Sequence, residues 1–395
     1  MIVGQSDFIM THLLWRGRVP LFMKRLLVYL LILCLSLVEM FALQPENVLK
    51  KAEDKQFALN LGKARRTPAF SCEGYWVWGS SVVKGHDGKY HMFVSRWPKE
   101  YRFHPSWALK SEIVHVVSDT PEGPYEFSDV ALPARGAEYW DGRCTHNPRI
   151  LYYQGKYYLV YMGSTHPFEE PTPEELTFNS PWMIVARSNK RIGLAVADSP
   201  YGPWKRFDKP ILDTKPGTFY SYFTSNPSPC ILEDGSVMMV FKGRHYVGNK
   251  WSGMSLGVAY APSIEGPYTV LNDGNPILSS EENGEAEDPF FWKDEEGYHI
   301  VFKDQLGKYT GEKESGVLAH SKDGVNWVID KCPQAYSLML NWDDGVTSKV
   351  GQLERPFILF ENGEPAYMFF ATSDGIGSFK GMSASWNMVI PFVKR

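Results

Sequence analysis

Four Xaa-Pro dipeptides stand at corresponding places along the chain, and the residues in front of them are chemically unequal. They read His146-Asn147-Pro148, Ser225-Asn226-Pro227, Glu287-Asp288-Pro289 and Glu354-Arg355-Pro356, with the prolines 79, 62 and 67 residues apart. A proline fixes the local backbone, so its recurrence marks a repeated structural position. A purely structural repeat needs nothing as varied as His, Ser, Glu, Asn and Asp there. Two carboxyl groups are the ingredients of proton chemistry, one protonated to deliver a proton and one ionised to balance positive charge or activate water. Adjacent residues such as Glu287 and Asp288 point to opposite faces of a regular strand, so they are not expected to form the pair. Glu287 with Glu354, or Glu287 with Asp141, remains open geometrically. Asp141 lies in Tyr139-Trp140-Asp141-Gly142-Arg143-Cys144-Thr145-His146, just ahead of the second inner strand. His146 is a further candidate for the acid.

The elements that must hold these positions read as strands. Aromatic residues make up 14% of the chain, and short aromatic or β-branched runs are bounded by Gly, Asp and Asn. Each Xaa-Pro opens a hairpin, as in Ile150-Leu151-Tyr152-Tyr153 turning at Gln154-Gly155 into 156–161. A degenerate first copy runs over 78–83 and 90–95, after the stretch Tyr75-Trp76-Val77-Trp78. After the hairpins come Gly123-Pro124-Tyr125, Gly202-Pro203-Trp204, Gly266-Pro267-Tyr268 and Gly324-Val325-Asn326-Trp327, with a shortened last copy over 381–389. Five units of about four strands predict an all-β five-bladed propeller over 71–395. A helical lead-in over 44–70 is expected, with the helix itself at 45–63. Inner strands of a propeller begin near the axis, so the residues before each proline should converge on one pocket.

This blade grammar resembles glycoside hydrolase family 43 and its fructan-cleaving and anhydrogalactose-cleaving relatives, from about Tyr75 to the C-terminus. The resemblance implies that Glu287, two residues before Pro289, is the general acid. It also implies a base and a second carboxylate as Asp directly before Pro in earlier blades, where this chain carries Asn147 and Asn226. The base is therefore unassigned, and His146 resembles the acid of the anhydrogalactosidase relatives. Catalytic candidates are thus Glu287, Glu354, Asp141 and His146. Asp288, Asn147 and Asn226 are expected to bind sugar hydroxyls or the blade junctions, and Trp78 and Trp140 to offer flat platforms for sugar rings. Arg149 and Arg244 are the expected partners for a sulfate or uronate group.

A net charge of −4 argues against nucleic acid or anionic lipid as the main partner. No metal-binding or nucleotide-binding pattern is present, so neither metal nor cofactor is expected. Residues 23–42 run from Met23-Lys24-Arg25 through an apolar core to Ala42. That order is read as a secretory signal within 1–43, with Met23 as an alternative start, and predicts a secreted or periplasmic protein free of the membrane after cleavage. Cys72, Cys144, Cys230 and Cys332 are compatible with either disulfides or single buried thiols. The expected function is an exported glycosidase of plant or algal oligo- or polysaccharides. A non-catalytic glycan-binding propeller and a glycoside phosphorylase are the competing readings.

Overall fold

The computed structural model describes residues 59–375, 379 and 381–393. The signal segment and most of the expected helix at 45–63 lie outside the described residues. The part of that helix that is described, 59–63, is not helical. Leu61 instead forms an antiparallel bridge with Phe392.

Five antiparallel sheets follow in chain order. Blade 1 comprises β1 (Tyr75–Lys84), β2 (Tyr90–Pro98), β3 (Glu112–Ser118) and β4 (Glu126–Leu132). Blade 2 comprises β5 (Cys144–Tyr153), β6 (Lys156–Ser164), β7 (Arg191–Ala197) and β8 (Lys205–Arg206). Blade 3 takes β9 (Phe223–Ile231) and β10 (Val237–Arg244), then a two-stranded excursion β11 (Tyr246–Val247) and β12 (Lys250–Trp251), then β13 (Ser255–Ala261) and β14 (Thr269–Val270). Blade 4 is β15 (Ala286–Asp294), β16 (Gly297–Asp304), β17 (Ser315–Ser321) and β18 (Trp327–Tyr336), followed by the hairpin β19 (Met339–Asn341) and β20 (Thr347–Lys349). Blade 5 has β21 (Glu354–Glu361), β22 (Glu364–Ser373) and β23 (Ser385–Pro391). The all-β five-bladed propeller is the observed fold.

Strand runs such as Val237-Met238-Met239-Val240-Phe241 are apolar on both faces because each blade is covered on both sides. Val237, Met239 and Phe241 pack with Tyr158, Val160 and Leu194 of blade 2. Met238 and Val240 pack with Phe291, Ile300 and Phe302 of blade 4. The period-two alternation thus assigns alternate side chains to alternate neighbours. Among the described residues blade 5 has three strands. Its outer edge is met by the segment ahead of blade 1, through the bridges Leu61–Phe392 and Phe70–Asn387. Ala69 also accepts a hydrogen bond from Tyr125 N at 2.8 Å, tying this segment to blade 1.

Two helices interrupt the sheet pattern. The first, α1 (Phe103–Lys110), lies between β2 and β3. The second, α2 (Pro181–Ser188), sits in the insertion between β6 and β7, with Ser180 capping its N-terminus and Pro181 at the first position. The helices touch each other. The four described cysteines are free thiols.

Candidate active site

Each inner strand breaks at the same place. Gly79, Asn147, Asn226, Asp288 and Arg355 all have positive φ, from 32° at Gly79 to 56° at Arg355. Strand pairing skips at each of them, for example from Glu287–Lys303 directly to Phe290–Val301. This is a bulge directly ahead of the recurring proline in four blades and at Gly79 in the first. Asn and Asp tolerate the left-handed region, Gly does so freely, and Arg355 is the outlier. The side chains at the breaks are joined in a chain. Asn147 Nδ2 donates to Asn226 Oδ1 at 3.1 Å, and Asn226 Nδ2 to Asp288 Oδ1 at 2.6 Å. The backbone N–H of Arg355 donates to Asp288 Oδ2 at 3.1 Å, and its guanidinium stands 3.4 Å from Asp288 Oδ1. A Cβ at Gly79 would lie 2.6 Å from Asn147 Oδ1, so any larger residue at the fifth place in this ring must displace that side chain.

The bulges overturn the expectation that Glu287 and Asp288 face opposite ways. A left-handed residue interrupts the alternation, and both line one axial cavity of about 200 Å³. Four of the five residues preceding the breaks, Trp78, His146, Glu287 and Glu354, line the cavity, and Ser225 instead donates to Asn226 Oδ1 at 2.8 Å. Asn147, Asn226, Asp288 and Arg244 line it too. The remaining expected residues are elsewhere. Asp141 is fully buried, with Arg135 at 2.7 Å (Nε) and 2.6 Å (Nη2) and the Tyr161 hydroxyl at 2.6 Å. Trp140 covers Gly163 and Gly193, just as Phe219 covers Gly243 and Gly257 in blade 3 and Tyr336 covers Gly316 in blade 4. It is one of a set of structural rings and not a platform. Arg149 lies outside the cavity lining and pins the inner strands together, donating to the carbonyls of Ser80, Pro289 and Pro356 at 3.3, 3.1 and 2.9 Å.

Two lysines absent from the sequence-based site organise the carboxylates. Lys242 faces Ser225 across blade 3 and Lys303 faces Glu287 across blade 4, so they hold equivalent positions. Each reaches one blade onward. Lys242 pairs with Glu287, and Lys303 pairs with Glu354 Oε1 at 2.5 Å while also standing 3.0 Å from Glu287 Oε2. Burial by itself raises the pKa of Glu287, but Lys242 and Lys303 override it and hold the carboxyl well below its usual range. Burial lifts Glu354 to about 7; Lys303 pulls the other way, and Asp288 and Glu287 push upward. The two glutamates therefore differ in protonation near neutral pH. Their Lys303-facing oxygens are separated by no more than the sum of those two distances, 5.5 Å.

The wall is aromatic and imidazole. Trp107 and Phe103 of α1 join Trp78 and Trp97 there, and Phe178 and Met183 come from the insertion that carries α2. His104 accepts from Trp107 Nε1 through Nδ1 at 2.8 Å, so its Nε2 carries the proton and is a donor. Burial lowers its pKa to about 4. His146 Nδ1 lies 2.8 Å from Ser111 Oγ and its ring stacks on Trp107. Burial, with Arg355, Lys190 and Lys242 adding, keeps this imidazole far below its ordinary pKa and hence neutral. A neutral histidine does not hold the proton that a general acid must deliver. Lys242 and Lys303 had a sequence signal in the repeated Val-Phe-Lys triplets 240–242 and 301–303, each ending an apolar return strand on a cation. His104 and Trp107 had none, since they sit in an unrepeated connection.

No protein-family model and no curated protein matches the sequence. Solved structures do match the fold. A family 117 glycoside hydrolase from the marine bacterium Zobellia galactanivorans aligns with TM-score 0.58 and 19% identity, over 83% of this chain and 89% of that one. A family 43 β-xylosidase/α-arabinofuranosidase from a compost microbial metagenome, solved with xylotriose, aligns with TM-score 0.54 and 18% identity, over 85% and 96%. A family 43 enzyme from Xanthomonas citri, complexed with xylotriose, aligns with TM-score 0.51 and 14% identity, over 84% and 90%. The fold is thus the five-bladed propeller of these glycoside hydrolases, as the blade grammar implied.

Proposed function

We propose that this chain is an exported glycoside hydrolase of plant or algal oligo- or polysaccharides, with Glu354 as the proton donor and Glu287 as the ionised partner. One observation carries the reading. Two carboxyl groups on neighbouring inner strands line one axial pocket beneath a wall of Trp and Phe, Glu287 held between Lys242 and Lys303 and Glu354 reached by Lys303 alone, so that their pKa values are pushed in opposite directions. Glycoside cleavage asks for that inequality, a protonated acid at the leaving oxygen and a negative charge facing the oxocarbenium-like transition state. This moves to Glu354 the acid role that the family resemblance implies for Glu287, because Glu287 is pinned between two ammonium groups. The basic, apolar and small-residue order of 24–42 supports export.

The non-catalytic glycan-binding reading is favoured by a separate observation. Lys303 bridges both glutamates, and among the described residues no carboxylate lines the cavity from blades 1 to 3, the earlier blades in which the family resemblance places its base. Reducing-sugar release from a panel of plant and algal glycans separates the two. Release that is lost in Glu354→Gln establishes hydrolysis. Retained glycan binding with no release from any glycan leaves a binding module.

A further inference from the structure

We propose that the wall of the cavity formed by Lys190, Arg187 and Arg244 is an oxyanion subsite, for a carboxylate or sulfate carried by the substrate or for free phosphate entering beside it. The inference rests on reading the cavity as a glycan site, and it names the chemistry that site selects. Lys190 is only 2% exposed, lines the cavity, and has no carboxylate partner among the described residues. Its ammonium is left with ring faces alone, 4.0 Å from the centroid of Phe223 and 5.0 Å from that of Trp107. Arg187, in the last turn of α2, also lines the cavity, and its Nε is buried without a hydrogen-bond partner. Arg244 Nε is likewise buried and unpartnered, while its Nη2 stands 3.6 Å from Glu285.

The charges around this wall do not balance. Four basic side chains, Lys190, Arg187, Arg244 and Lys242, stand here against two carboxylates, Glu285 and Glu287, and Glu287 is shared with Lys303. A buried cation without a counter-ion is costly, and a neutral sugar asks for none. Two guanidinium groups beside one ammonium are the arrangement that charge-assisted binding of a carboxylate, sulfate or phosphate uses. Burial and the neighbouring Lys242, Arg187 and Arg244 push the Lys190 ammonium below its ordinary pKa, a tendency that a bound anion reverses.

The full chain, Lys190→Met and Arg244→Met should be titrated with sodium phosphate, sodium sulfate and sodium glucuronate, against sodium chloride at matched ionic strength. Thermal denaturation and calorimetry are the readouts. At least one oxyanion should bind the wild type saturably and raise its melting temperature. Binding to Lys190→Met should be at least tenfold weaker, although the unliganded variant melts no lower than the wild type because an uncompensated charge has gone. If Lys190→Met does not fold, Arg244→Met carries the comparison. The proposal is overturned if no oxyanion binds the wild type above chloride, or if the folded variants bind as the wild type does. Strongest binding of glucuronate assigns a sugar carboxylate, of sulfate a sulfate ester, and of phosphate a co-substrate. Sugar release without oxyanion binding would retire the subsite and keep the glycosidase; oxyanion binding without release would do the reverse.

Discussion

At the residue scale the two glutamates invite opposite outcomes from the same substitution. Glu354→Gln resembles the protonated acid and should fold normally, but it cannot deliver a proton. It should slow cleavage of poor leaving groups by roughly 10²–10⁴ and spare an activated aryl glycoside, whose leaving group needs little protonation. Equal losses on both substrates would remove the acid role from Glu354. Glu287→Gln leaves Lys242 and Lys303 short of a buried counter-charge, so it should cost about 3–5 kcal/mol in a denaturant titration as well as activity. The pH dependence follows from Glu354. Its folded pKa of about 7 lies above the ordinary 4.5, so the folded state binds the extra proton between those values. Its stabilising contribution is complete below about 4.5 and fades as pH rises through 7, and cleavage should fall over the same upper limb. Melting curves of wild type and Glu354→Gln across pH 4–8 check the sign: only the wild type should carry this downward slope. The pocket positions of Glu287, Glu354 and His146 were legible because a proline repeats behind them. Asp141 and Trp140 misled because an acidic-aromatic loop beside an inner strand reads the same whether it overhangs a pocket or closes a blade. Lys190 was illegible, since nothing in a lone lysine after a helix says that it is buried.

At the scale of single elements, the inner-strand breaks decide where side chains point. The ring of left-handed residues makes consecutive side chains share one cavity, which a strict two-residue period forbids. Gly79→Ala tests this device. The new methyl would meet Asn147 Oδ1 and sit at positive φ, so we expect a loss of about 1–3 kcal/mol and a weakened pocket. Gly155 also has positive φ, 80°, but a Cβ there would meet nothing within 4 Å. Gly155→Ala should therefore cost only the backbone strain and leave ligand binding unchanged. A larger effect at Gly155 than at Gly79 would show that the ring is not under steric constraint. The blade count was readable from periodic turns and prolines. The contribution of α1 to the wall was not, because an insertion carries no period to be recognised by.

At the scale of the whole molecule, the segment 59–70 joins blade 5 to blade 1 and buries Ala64, Ala69 and Phe70. A chain starting after Phe70 should melt at a lower temperature and with less cooperativity, and a separate peptide spanning 59–70 should restore part of the loss. Unchanged melting would mean that the first four blades and β21–β23 hold themselves together. This seam also sets a clock on biosynthesis. The partners of Leu61 and Phe70, which are Phe392 and Asn387, leave the ribosome more than 300 residues later. At the usual 5–20 residues per second that is a wait of roughly 15–60 s. During it Phe70 and the edge it must complete are both unmated, so the nascent chain has a long interval in which a chaperone or a second nascent copy can occupy the place that β23 will take.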